Sequence, residues 1–200
     1  RIPAANCGLV GLKTTRMRNP MGPDFAEGLA GMSVAHCVSR TVRDSAFLLD
    51  ASHGPAPGDP YAAPPPARPF AAEVGADPGR LRIGLVTRAP GGTHVDPLCS
   101  GAAEEVARLC QGLGHEVEPV TIALDIEPLR RALWVLFGTT ARVNIELRLG
   151  GRGRALADGD VEPATRAWAE EARRFGAVDY LRGIQAVHAA GRRLGLVMER

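Results

Sequence analysis

The residues of this sequence best suited to catalysis or metal binding are its single lysine, its five histidines and its four cysteines. A lysine such as Lys13 can act as the base toward a serine when burial lowers its pKa. No histidine accompanies a serine or cysteine in a nucleophile-elbow motif. His94 follows a predicted strand in a glycine-rich loop, where functional groups do occur. These residues therefore offer a candidate base without an evident nucleophile.

The cysteines predict neither a metal centre nor a disulfide scaffold. No two of them form a C-x-x-C pair, and no cysteine–histidine cluster has ligand spacing: the four are Cys7, Cys37, Cys99 and Cys110. In a chain with 45% hydrophobic residues, such cysteines are typical of small buried side chains in a reducing compartment. We predict no metal, no cofactor and a cytoplasmic location.

The charge pattern is typical of a solvated protein surface. The formal net charge is only +2, and acidic residues are interleaved with the arginines. The protein therefore has no strong electrostatic field that would favour binding to nucleic acid or to an anionic membrane. The "GGRGR" run at 150–154 lacks interleaved aromatic residues for base stacking and is interpreted as a surface loop. No apolar run is long enough to span a bilayer. We predict no nucleic-acid partner and no membrane association.

Local patterns in residues 1–70 predict two segments. Within residues 1–54, "CGLVGL" favours a short buried strand. A helix follows, with Thr41 as N-cap, Asp44 closing a capping box and Gly54 ending it. Residues 55–70 are too rich in proline for regular structure, and form either an extended strap or a linker.

Local patterns in the rest of the chain predict a β-α-β unit and a helical region. Residues 80–120 combine an alternating strand, a helix capped by Asp96 and Pro97, and a returning strand. Residues 126–200 predict three helices, of which the first has Gly138 as a potential interruption. The β-α-β unit alone would permit a non-catalytic binding module.

The opening "RIPAANCGLVGLKTT" resembles the end of the diagnostic motif of the amidase signature family. That motif runs from D-x-G-G-S-I-R-x-P-A into C-G-x-x-G-L-K-P-T. The matching residues are Arg1, Pro3, Ala4, Cys7, Gly8, Gly11, Leu12, Lys13 and Thr15. Thr14 departs from the pattern, because the family usually has proline there.

A second family motif follows in the expected order. Residues 39–54 resemble [ST]-R-[ST]-V-x-D-x-A-x-x-L-D-x-x-x-G, with matches at Arg40, Thr41, Val42, Asp44, Ala46, Leu49, Asp50 and Gly54. The resemblance is clear over residues 1–60 and continues through the strand–helix–strand unit near residue 120. It implies an α/β fold with a mixed central sheet flanked by helices, of which this chain supplies part.

The resemblance also implies amide hydrolysis by a Ser-cisSer-Lys triad through an acyl-enzyme. The family's nucleophilic serine aligns two residues before Arg1, and the other two triad members align further upstream. Lys13 then becomes a scaffold residue, and no catalytic residue is assigned in this chain. We expect the 200 residues to be an internal fragment of a single amidase domain, lacking its N-terminal catalytic part and inactive alone.

The run "GDPYAAPPPARPF…DPGRLRIGL" at residues 58–85 looks like the bacterial branch of the family that resembles hydrolases of the 6-aminohexanoate cyclic dimer. This implies a linear or cyclic small-molecule amide as the substrate, and Trp134 and Phe137 are the candidate apolar lining of its pocket. Core packing is the alternative role for both. A glutamine-hydrolysing subunit of a tRNA-dependent amidotransferase is the alternative function, beside the non-catalytic binding module. A homodimer is left open as the assembly.

Overall fold

The computed structural model describes residues 1–199 and has the predicted α/β composition. The chain divides into two compact units, the first covering Arg1–Asp77 and the second beginning at Pro78. That both units belong to one amidase domain stays a prediction.

The first unit is built around a short antiparallel pair of strands and the helix that follows it. Its elements are α1 (Ile2–Cys7), β1 (Val10–Gly11), β2 (Val38–Ser39), α2 (Val42–Ser52) and a 3-10 turn at Phe70–Glu73. The strand predicted over "CGLVGL" is wrong in extent, because Cys7 ends α1 and only Val10–Gly11 pairs. Gly8 allows this change of direction by adopting a left-handed φ of 63°.

Helix α2 begins as the sequence predicts. The Asp44 N–H donates to Thr41 Oγ1 at 3.0 Å, while the return bond of a capping box does not form within residues 1–199. Ala46 and Leu49 are buried, whereas Val42 is mostly exposed. One side-chain bond therefore suffices to start this helix.

The proline-rich segment is a strap held against the first unit. Residues 55–69 contain no helix or strand. An Arg18 guanidinium N–H donates to Pro64 O at 2.6 Å. The Asp50 carboxylate accepts from Phe70 N at 2.7 Å and from Ala71 N at 2.9 Å. Asp50, one of the motif residues, thus anchors the point at which the strap ends.

The second unit begins with the predicted β-α-β arrangement. Strands β3 (Arg82–Leu85) and β4 (Glu116–Pro119) pair in parallel, with Ile83 opposite Val117, and α3 (Pro97–Gly112) connects them. Asp96 caps α3 by accepting from Leu98 N at 2.8 Å. Several apolar residues of α3 and of the turn after it stay exposed, including Val106, Leu109 and Leu113, while Ala107 is buried. Two strands of four residues offer too narrow a surface to cover all the apolar residues of the helix.

Three helices form the rest of the second unit. They are α4 (Ile126–Gly150), α5 (Pro163–Glu171, followed by a 3-10 turn at Ala172–Arg174) and α6 (Ala177–Met198). Leu136 of α4 is 0% exposed, and Gly183 of α6 packs against it. Gly138 does not interrupt α4. A Cβ at that position would lie 2.8 Å from Trp168 O, so glycine permits α5 to approach closely.

The cysteines are more exposed than the sequence indicated. Cys7 and Cys99 are exposed, Cys37 and Cys110 are half-buried, and all four thiols are free. The interpretation of all four as buried side chains is therefore wrong within residues 1–199. Among those residues, no helix combines the length and the apolar composition that a membrane crossing needs.

Thr14, where the sequence departs from the family's proline, gives a stability prediction. Its side chain is buried, and Thr14 Oγ1 has no hydrogen-bond partner among residues 1–199. We expect Thr14→Val to raise the free energy of unfolding by about 1–2 kcal/mol, because it removes an unsatisfied hydroxyl and keeps the shape. Urea unfolding measures the change. The exposed neighbour provides the control as Thr15→Val, expected to change stability by less than about 0.5 kcal/mol; a less stable Thr14→Val variant would contradict the prediction.

Candidate functional site

An aromatic cluster on α4 and α5 contains both residues predicted to line a substrate pocket. Trp134 and Phe137 are three residues apart on α4, so their side chains share one face of the helix. Trp168 of α5 meets both. Its ring centroid lies 6.2 Å from that of Trp134, edge-on at 85°, and 5.7 Å from that of Phe137. These separations suit attractive aromatic pairs.

The three rings border an open cavity of about 270 Å³, which Leu133 and Arg130 complete. Trp134 is 48% exposed and Phe137 is 39% exposed, so neither is a core residue within the described chain. Arg130 stands as the polar group of the lining and pairs with Glu127 at 2.6 Å. The cavity can therefore hold an apolar group, and its lining offers no nucleophile and no general base.

Trp168 was not predicted as part of this site. Its position in a predicted helix was evident, but nothing in the local pattern indicates which helix it faces. The one available signal was that the chain has only two tryptophans. Only the close α4–α5 approach at Gly138 brings the second of them to the first.

Lys13, the candidate base, lies on the surface and is hydrogen-bonded to no candidate nucleophile in the described part of the chain. The Lys13 ammonium donates to Thr14 O at 2.9 Å, and Lys13 is exposed. It makes no hydrogen bond to a serine anywhere in residues 1–199. This environment agrees with the scaffold role that the motif implies.

A serine–histidine pair, not foreseen from the sequence, lies in the first unit. His36 Nε2 and Ser45 Oγ are 2.9 Å apart, and Cys37 Sγ lies 3.7 Å from the same nitrogen. Ser45 is only 3% exposed, so a substrate carbonyl has no access to its hydroxyl. The pair instead holds the segment before β2 against α2.

The other candidates lie apart from these groups. His94 is exposed on its loop and makes no hydrogen bond within residues 1–199. Within the same residues, no group of three or more His, Cys, Asp or Glu side chains is placed to hold a metal ion. The aromatic cavity is therefore the candidate binding site.

Comparison with known proteins gives matches over most of the chain. The family model described as "Amidase" matches residues 1–149. A 6-aminohexanoate-cyclic-dimer hydrolase of Pseudomonas sp. (strain NK87) is 38% identical over 170 residues, covering 81% of this chain and 34% of that protein. A putative amidase of Synechocystis sp. is 32% identical over 203 residues, covering 100% of this chain and 36% of that protein. The chain thus spans about a third of the length of these relatives.

Solved structures share the fold. A 6-aminohexanoate cyclic dimer hydrolase superposes with a TM-score of 0.88 at 30% identity, covering 100% of this chain and 42% of that one. A bacterial aryl acylamidase of the amidase signature family has a TM-score of 0.70 at 19% identity, covering 82% of this chain and 34% of that one; this second likeness concerns the fold alone. The predicted α/β fold class is confirmed as part of a larger architecture of this kind.

Proposed function

Because this chain belongs to the amidase family, as its opening motifs indicated, we propose that the whole protein hydrolyses carboxylic amides and that this segment supplies an apolar wall of the substrate pocket. The observation that carries the second part is the cavity between Trp134, Phe137 and Trp168. Rings that are half exposed beside an open cavity can exchange water for an apolar part of a substrate. Each buried methylene contributes about 0.8 kcal/mol to such binding.

We propose a Ser-cisSer-Lys mechanism for the cleavage. In it a serine hydroxyl attacks the amide carbon, the C–N bond breaks, the amine leaves with a proton, and water hydrolyses the acyl ester. The family motif aligns these three residues upstream of Arg1. Two observations support the view that residues 1–200 carry no triad of their own and are inactive alone: Ser45 is buried, and the exposed Lys13 donates to the carbonyl of its neighbour Thr14 rather than to a serine.

The proposed substrate is a small linear or cyclic amide with an aliphatic part. Two features support this class. The cavity is lined by apolar and aromatic side chains except for Arg130, and the relatives include hydrolases named for the 6-aminohexanoate cyclic dimer. That dimer is a ring in which methylene runs separate the amides. Methylene runs of this kind would suit the flat faces of Trp134 and Phe137.

The test compares amides of different apolar length in the whole protein. We expect Phe137→Ala or Trp134→Ala to lower kcat/KM for hexanamide and the 6-aminohexanoate cyclic dimer by about tenfold, because the lost contact is worth one to two methylenes. Acetamide is too short to reach the rings, so its kcat/KM should change by less than about twofold by the same reasoning.

Two control variants sharpen this test. Phe137→Leu keeps an apolar side chain and should retain most activity toward hexanamide. Leu147→Ala removes an exposed apolar side chain from the same helix, away from the cavity. It should leave kcat/KM unchanged for every substrate. Equal losses for acetamide and hexanamide, with the fold intact, would show that the rings do not line the substrate pocket.

The proposed setting is a cytoplasmic enzyme without a nucleic-acid partner, and a homodimer stays a prediction. Purification from the native host distinguishes a stand-alone amidase from a subunit of a larger amidotransferase. Recovery in a stable complex with other subunits, together with glutaminase activity, would favour the glutamine-hydrolysing subunit of a tRNA-dependent amidotransferase. Activity of the protein alone on hexanamide would favour the proposal.

A further inference from the structure

A second cavity, separate from the aromatic one, lies between the C-terminal half of α4, the loop after it, and α5. Its volume is about 460 Å³, within the size range of small-molecule sites. Ile145, Leu149, Leu156 and Ala169 give it an apolar floor. Charged side chains complete the lining, and they belong to four arginines and two glutamates: Arg142, Arg154, Arg166, Arg173, Glu146 and Glu170.

Most of these charges are already paired. The ion pairs are Arg142–Glu146 at 2.7 Å, Arg154–Asp160 at 2.6 Å and Arg166–Asp158 at 3.3 Å. Two hydrogen bonds from Arg154, aided by the Ala157 N–H, hold the pKa of Asp160 well below its ordinary range, so its negative charge persists at neutral pH. The Arg154–Asp160 pair closes the loop between α4 and α5 on itself, and the Arg166–Asp158 pair ties that loop to α5.

Glu170 and Arg173 are the two charges that remain. Neither makes an ion pair or a hydrogen bond through its side chain within residues 1–199. The adjacent residues with the same spacing, Glu171 and Arg174, do pair, at 3.1 Å. The same turn therefore closes one acid–base pair and leaves the other open, with both open groups bordering the cavity.

The charge balance decides the class of ligand. The four arginines are offset by Glu146, Glu170, Asp158 and Asp160, so the cavity and its pairs are neutral overall. A simple anion would meet the Glu170 carboxylate, and a simple cation would meet the guanidinium of Arg173. A zwitterion, which carries one positive and one negative group and no net charge, can pair with both Glu170 and Arg173. Glu170 lies at the end of α5 and Arg173 in the 3-10 turn that continues it. Since side chains three residues apart in such a turn lie above one another, the two charges of the ligand must also be close together.

We propose that this cavity binds an α-amino acid with an apolar side chain. Arg173 donates to the carboxylate of the ligand, and Glu170 accepts from its ammonium group. The apolar side chain of the ligand covers the floor formed by Ile145, Leu149 and Leu156. The site is distinct from the aromatic cavity, and the proposal does not rest on amide hydrolysis.

Calorimetric titration of the whole protein at neutral pH tests this with four probes of equal carbon-chain length: norleucine, 6-aminohexanoate, hexanoate and hexylamine. We expect norleucine to bind at least about tenfold more tightly than each of the others, because only norleucine can make both charged hydrogen bonds side by side. Arg173→Gln and Glu170→Gln should each weaken norleucine binding by about tenfold for the same reason.

Two control variants make the result specific to this cavity. Arg174→Gln removes the neighbouring guanidinium, which is paired with Glu171, and should leave norleucine binding unchanged. Trp134→Ala alters the aromatic cavity and should also leave it unchanged. The proposal is overturned by any of three results: no norleucine binding, equal binding of hexanoate or 6-aminohexanoate, or unchanged binding in a folded Arg173→Gln protein.

Discussion

Replacing Gly138 by valine should lower the free energy of unfolding by about 3 kcal/mol, because the new side chain must occupy space that α5 already fills. A Cβ at residue 138 would lie 2.8 Å from Trp168 O and 3.3 Å from Ala172 Cβ. The nearer atom belongs to the backbone, so relief requires the whole of α5 to move. Urea unfolding of the variant and the parent protein measures the loss.

Gly191 of α6 provides the matched control, because an added Cβ there meets nothing within 4 Å. Gly191→Val should change stability by less than about 0.5 kcal/mol, with a slight gain from helix propensity. A Gly138→Val protein as stable as the parent would mean that α4 and α5 are not in close contact. The displacement should also move Trp168 away from Trp134 and Phe137, so we expect weaker binding of aliphatic amides by Gly138→Val.

Truncating Leu136 to alanine should lower the free energy of unfolding at least as much as Gly138→Val does. Leu136 is 0% exposed and lies on α4 against Gly183 of α6. Its removal loses the burial of the side chain and leaves a cavity, and the free energy of unfolding should fall by about 3–4 kcal/mol. The midpoint of urea unfolding, at unchanged slope, reports this loss.

Leu147 offers the same substitution on the same helix in an exposed position. Leu147→Ala should change stability by less than about 0.5 kcal/mol. A similar loss for Leu136→Ala and Leu147→Ala would contradict the packing of α4 described above. Trp134 and Phe137, which line the aromatic cavity, are close neighbours of Leu136 along α4 but are half exposed.

Features that depend on neighbours along the chain were predictable from the sequence. Thr41 and Asp96 start α2 and α3 because a side-chain oxygen beside the first turn satisfies a free N–H group. The apolar alternation before α3 and the strand after it were sufficient to predict the parallel β-α-β unit. The two motifs at residues 1–15 and 39–54 were sufficient to indicate the amidase family, because they match residue by residue and in order.

Contacts between residues far apart along the chain were decided only by the tertiary structure. Glycine within a helical pattern indicates either a break or a close approach, and the position of α5 makes Gly138 the latter. The same approach brings Trp168 to Trp134 and Phe137. The end of α5 and the turn after it leave Glu170 and Arg173 open beside a cavity. The sequence by itself determined the family and the local elements, since capping and periodicity act over a few residues. Which side chains share a cavity was decided by helix packing, because that depends on steric fit between segments whose separation along the chain carries no local signal.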